Sequence, residues 1–213
     1  MQEVQFITLL WLIGIIAEAM TGALCAGRKQ MDLFGVVIVG CATAIGGGTL
    51  RDMLLGNYPL IWIENVHYLL AIAFASLLTV IIAPVMRNLS KLFLAIDALG
   101  LAVFSIVGAQ KTLLLGFSPV VAVVMGVVTG VFGGVIRDIL CNQVPLIFKK
   151  ELYALVSLLT ALLYILLKMY GVTEWVNLAI SLTFGFGLRM LAIRYHWGMP
   201  KFDYQYNQDG QIH

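Results

Sequence analysis

Two pairs of opposite charges lie within apolar sequence, Arg51-Asp52 and Arg137-Asp138. Each follows a cluster of glycines, Gly46, Gly47 and Gly48 in the first case and Gly133 and Gly134 in the second. Ionisable side chains at membrane depth are costly unless they face a protein interior or a water-filled path, so they mark functional positions. Successive glycines weaken a helix by about 1 kcal/mol each relative to alanine. They also let it bend, baring carbonyls that an ion or a water can use. The competing reading of the glycines is close helix packing, which small residues serve in membranes and which the spacing of Gly126 and Gly130 illustrates.

Three more charges join these pairs once the chain is read as helices. Glu18 and Asp97 fall on the side of Arg137, and Lys111 falls on the side of Arg51. The set reads either as a polar path with a charged constriction at each end or as ion pairs that brace neighbouring helices. Consecutive residues on a helix point about 100° apart, so one member of each pair can line a path while the other braces a neighbour. Thr43 and Thr129 precede the paired glycines on the same helices. Their hydroxyls can bond the carbonyl four residues back or coordinate a partly dehydrated cation. No loop resembles a potassium-channel TVGYG filter, so only weak selectivity among monovalent cations is expected. Nucleotide motifs, zinc-ligand spacings and a Ser/His/Asp arrangement are missing from the sequence; neither an enzyme, a cofactor nor a metal centre is expected. Cys25, Cys41 and Cys141 lie in or beside apolar runs and read as small buried hydrophobes.

The elements that carry these residues occur twice. At an offset of 86 residues, as from Arg51 to Arg137, Gly14 meets Gly100, Gly22 meets Gly108, Gly40 meets Gly126, Thr43 meets Thr129 and Pro59 meets Pro145. The chain is therefore two copies of one unit. Its composition is 61% hydrophobic and 11% charged, with a mean hydropathy of +0.97. A soluble domain is typically about 45–50% apolar, so this is a membrane protein. The net charge of +2 comes from scattered basic residues, which excludes a nucleic-acid footprint.

Apolar runs at about 5–24, 34–56, 66–85, 92–114, 119–141, 151–169 and 175–194 predict seven transmembrane helices. Repeat one is expected over about 5–86, repeat two over about 91–172, and an unpartnered seventh helix over about 175–194. Together they form a single transmembrane domain, 1–195, followed by a cytoplasmic tail, 196–213. Three helices per repeat is an odd number, so the second copy enters the membrane from the opposite side and the repeats are inverted. The expected fold is all-α, and such halves place a functional site near the midplane. Basic residues set the orientation. With the N-terminus outside, Arg28, Lys29, Arg87, Lys91, Lys149, Lys150, Arg194 and Lys201 fall inside, and Lys111 and Lys168 outside.

Two copies of GG-x-x-R-D in a three-plus-three-plus-one chain with the N-terminus outside resemble the prokaryotic trimeric intracellular cation channels, which also carry the label of a glycine-transporter domain. The resemblance covers about residues 5–195. It implies a homotrimer in the bacterial inner membrane with one ion path per protomer, conducting potassium and, less selectively, sodium. The path would be lined by the glycine-kinked second and fifth helices, with the kinks at Gly46 to Gly48 and Gly133 to Gly134 and the basic residues at Arg51 and Arg137. Repeat two has Phe132 where repeat one has Gly46. Beyond membrane lipid, cations and its own copies, no partner is expected. The other function class in play is a secondary transporter of a small solute such as glycine. Inverted repeats with broken helices are as typical of carriers, and Arg51 or Arg137 could hold a carboxylate.

Overall fold

The 86-residue register is visible in the ends of the helices. In a computed structural model that describes residues 2–85, 89–149 and 152–198, repeat one contains α1 (Gln2–Arg28), α2 (Leu33–Leu54), the short α3 (Ile61–Glu64) and α4 (His67–Ile82). Repeat two contains α5 (Leu89–Leu114), α6 (Pro119–Leu140), the short α7 (Leu146–Lys149) and α8 (Tyr153–Met169); α9 (Glu174–Tyr195) follows. The ends of α1 and α5, both ends of α2 and α6, and the starts of α4 and α8 all fall at equivalent positions. Arg87, Lys150, Lys201 and almost all of the expected tail lie outside the described residues.

The same local chemistry ends the helices in both copies. Asp32 caps α2 by accepting from Gly35 N at 2.7 Å, and Ser118 stands at the equivalent place before α6. At the far ends, Asn57 N donates to Asp52 O and Gln143 N donates to Asp138 O, each at 2.8 Å. Each turn passes through a left-handed residue, Gly56 at φ 65° and Asn142 at φ 49°. These are the two residue types that most readily close a helix in this way. The Pro-Leu-Ile triplets that follow open α3 and α7.

Among the described residues, five helical segments are long and apolar enough to cross a membrane: Thr8–Arg28, Leu33–Leu54, Lys91–Leu114, Pro119–Leu140 and Glu174–Tyr195. The third helices of the repeats, α4 and α8, are apolar but only 16 and 17 residues long. In α1 and α5 72% of the span is buried, against 33–39% in α2, α6 and α9, so the first helices of the two repeats form the centre. Ile15, Ile72, Ile106, Tyr164 and Leu178 pack the core between them. Cys25 and Cys141 are buried free thiols, and Cys41 is half-buried.

Candidate functional site

The α2 and α6 helices cross at their glycines, and the contact is reciprocal. A Cβ on Gly47 would collide with the carbonyl oxygen of Thr129, and one on Gly133 would stand 2.5 Å from the carbonyl oxygen of Thr43. Contacts in which residue i meets j′ while j meets i′ are the mark of a two-fold relation, here an internal one. Both helices run uninterrupted through their glycines. The α1–α2 and α5–α6 contacts repeat the pattern: Gly22 faces Thr43 and Val39, and Gly108 faces Thr129 and Met125. Both threonine hydroxyls donate to their own helix, Thr43 to Val39 O and Thr129 to Met125 O, each at 2.6 Å.

Gly46 and Phe132, equivalent in sequence, share one outward-facing apolar groove of about 540 Å³ between α2 and α6. There a Cβ on Gly46 would press on Ile136 at 2.6 Å. The third glycine of repeat one has a different use. A Cβ on Gly48 would stand 3.8 Å from Arg51 Nη2, and one on Gly134 would stand 3.5 Å from Arg137 Nη2 and 3.1 Å from Tyr153 OH.

Each arginine folds across the last helical turn, and its Nε donates to the following aspartate at 2.9 Å in both repeats. Side-chain length makes this i,i+1 contact possible although the two Cβ atoms diverge. Beyond that shared element the two ends differ. Asp52 also accepts from Lys111 Nζ at 2.9 Å, so the Arg51 end holds two cations and one carboxylate. Arg51 lines a cavity of only about 20 Å³ with Trp11, Leu60, Trp62 and Phe104. At the other end Arg137 Nη1 donates to Asp97 Oδ1 at 2.7 Å and to Thr21 Oγ1 at 3.1 Å, with Glu18 Oε2 at 3.9 Å. Asp138 accepts from Leu146 N at 2.9 Å, which ties the start of α7 to the end of α6. Tyr153 OH reaches Asp97 at 3.4 Å, and the guanidinium of Arg189 on α9 lies 4.7 Å from the Tyr153 ring centroid. The ring of Phe93 stands between Arg137 and Arg28, 4.8 Å from each.

All the charged residues singled out from the sequence thus gather at the two ends of the crossing. Glu18, Asp97 and Asp138 assemble on Arg137, and Asp52 and Lys111 assemble with Arg51. Sequence reasoning missed Thr21, Phe93, Tyr153 and Arg189. Only Thr21 carried a signal, because it lies three residues after Glu18 and hence on the same helix face. It also missed the aromatic exchange, in which Trp11 and Phe104 occupy at the Arg51 end the places that Asp97 and Glu18 occupy at the Arg137 end.

An all-helical apolar chain with an internal two-fold and charges buried at both ends of its central crossing is a polytopic membrane protein of the inverted-repeat class. The sequence profile of the family described as Glycine transporter matches it twice, over residues 8–84 and 94–169. A UPF0126 membrane protein of Vibrio cholerae is 35% identical over 201 residues, covering 94% of this chain and 84% of that one. The inner membrane protein YadS of Escherichia coli is 36% identical over 200 residues, covering 90% and 95%. Among solved structures, the TRIC trimeric intracellular cation channel orthologue of Rhodobacter sphaeroides superposes with a TM-score of 0.87 at 35% identity, covering 89% of this chain and 98% of that one. A prokaryotic TRIC channel in 0.5 M KCl superposes at 0.85 and 32% identity, covering 92% and 100%. The chain belongs to the TRIC channel family.

Proposed function

We propose that this protein is a monovalent cation channel of a bacterial inner membrane, potassium-conducting and less selectively sodium-conducting, with one ion path in each protomer of a homotrimer. The observation that carries the reading is the similarity to a solved TRIC cation channel over 98% of that chain at 35% identity. In this reading α4 and α8 also cross the membrane, giving seven spans with the N-terminus outside. The path follows the α2–α6 crossing past Thr43, Thr129 and the glycines at 46–48 and 133–134, and is guarded by Arg51 at one end and Arg137 at the other. Both arginines are almost wholly buried, at 2% and 0% exposure, which in this reading corresponds to a closed path. Opening requires α2 and α6 to part, because the Gly47–Thr129 and Gly133–Thr43 contacts leave no room between them. Purified protein in planar bilayers tests the reading. Unitary potassium current steps are expected; glycine-dependent flux without steps would instead make the protein a carrier.

A further inference from the structure

Two arginines share one aromatic ring at the Arg137 end of the crossing. Phe93 and Asp97 lie four residues apart on α5 and so fall on one face, and both meet Arg137. Asp97 accepts a hydrogen bond from Nη1 at 2.7 Å, and the guanidinium carbon lies over the Phe93 ring, 4.8 Å from its centroid. The guanidinium carbon of Arg28, at the end of α1, lies over the same ring, also 4.8 Å from the centroid. Arg137 is fully buried and Phe93 is 7% exposed, whereas Arg28 is exposed. The ring therefore separates a cation sealed inside the protein from one at its surface. The residues equivalent to Phe93 and Arg28 in the other repeat are Ile7 and Leu114, with neither a π face nor a charge, so these positions cannot repeat the arrangement at the Arg51 end.

A guanidinium is drawn to the face of an aromatic ring, and more strongly where water is excluded. Two such groups on one ring hold it in place, because displacing it forfeits both contacts. The ring is not needed to neutralise Arg137, which Asp97 and Asp138 already do at 2.7 and 2.9 Å. What it adds is closure. In the ion path proposed above, a cation moving from Arg137 toward Arg28 meets the ring in its way, and an apolar constriction excludes water together with ions. We propose that Phe93 is the gate of that path at its Arg137 end, drawn shut by the two guanidiniums and opening when the ring leaves them. The inference rests on the channel reading and adds to it a gating residue that bears no charge.

Single-channel recording of the full-length protein, with Phe93 replaced in turn by mono-, di- and trifluorinated phenylalanine, tests it. Fluorine withdraws charge from the face of the ring and leaves its size nearly unchanged, so the hold on both guanidiniums weakens stepwise while the fold is kept. Open probability in symmetrical potassium chloride is expected to rise with each fluorine, by about tenfold for the trifluorinated ring, which is within what a desolvated cation–π contact supplies. Unitary current is expected to stay at the wild-type value, because the open path is the same. A side chain that merely fills space would not respond to fluorination. An open probability that stays flat along the series, in a wild type that conducts, would overturn the gate and leave the channel reading standing. A change of unitary current at constant open probability would also overturn it, making Phe93 a wall of the path. A wild type without unitary current steps would remove the channel reading and the gate together.

Discussion

Asp97 on α5 and Trp11 on α1 occupy equivalent places in the two repeats, yet Asp97 holds Arg137 at 2.7 Å while Trp11 lines the cavity beside Arg51. Glu18 and Phe104 differ in the same way. Arg137 therefore neutralises a cluster of carboxylates, whereas Arg51 shares a single carboxylate with Lys111.

The two arginines should differ in their weight in the fold. Arg137→Gln leaves Glu18, Asp97 and Asp138 without their shared cation, and removing one partner of a buried pair costs about 3–5 kcal/mol. Arg51→Gln leaves Asp52 still paired with Lys111, and loss of one charged hydrogen bond costs about 1.5–3 kcal/mol. Thermal unfolding in detergent should show the larger drop for Arg137→Gln. Equal drops would mean that the carboxylates around Arg137 do not depend on it.

Glycines within one cluster should respond differently to alanine. The added methyl of Gly47→Ala meets the Thr129 carbonyl, and that of Gly133→Ala meets the Thr43 carbonyl, so each substitution forces α2 and α6 apart. Overpacking of this kind costs about 1–3 kcal/mol. At Gly48 the added methyl would stand 3.8 Å from Arg51 Nη2, an ordinary contact. Gly48→Ala should therefore fold with wild-type yield where Gly47→Ala does not, as read by size-exclusion chromatography. Equal tolerance would show that the crossing has slack, and that the glycines serve helix bending instead.

How much of this was legible in advance can be seen residue by residue. The 86-residue register revealed the doubled unit, because glycines at helix crossings and the Arg-Asp pairs tolerate little change of place. The depth of Glu18 and Asp97 along their inverted helices put both toward the inner side with Arg137, and the structure brings them to it. Which helix neighbours which is a property of packing, so the roles of Tyr153 and of Arg189 on α9 could not be read. The short α3 and α7 are one turn each and too brief for a periodic signal, although the Pro-Leu-Ile triplets mark where both begin. The glycines were read mainly as points of bending; in the folded chain Gly47 and Gly133 make the crossing of α2 and α6 as close as backbone allows.

If the arginines guard the two ends of a cation path, each repels the permeant ion. At about 5 Å and an effective dielectric of about 40, the repulsion is roughly 1.7 kcal/mol before screening. Arg51→Gln, and the folded fraction of Arg137→Gln, should then pass a severalfold larger unitary current, with rectification shifted in opposite directions. Single-channel recording in symmetrical potassium chloride checks this. Unaltered current in both variants would leave the arginines as braces between helices.

The sidedness of the chain is open to a separate test. A reporter fused after Ile212, outside the described residues, should behave as cytoplasmic, and one inserted after Leu115, in the turn between α5 and α6, as external. The reverse pattern would invert the assignment of Arg51 to the outer face and Arg137 to the inner.

The reciprocal crossing of α2 and α6 also constrains how such a chain could have diversified. Two separate, identical copies meeting through this contact would place every residue at both ends, so a carboxylate facing one arginine would face the other as well. Joining the copies in one chain lifts that restriction. Asp97 and Glu18 can then serve a single arginine while Trp11 and Phe104 stand at the other, and α9 can be added to one half alone. Polarity across the membrane, which a symmetric pair cannot possess, becomes a property that individual substitutions can set.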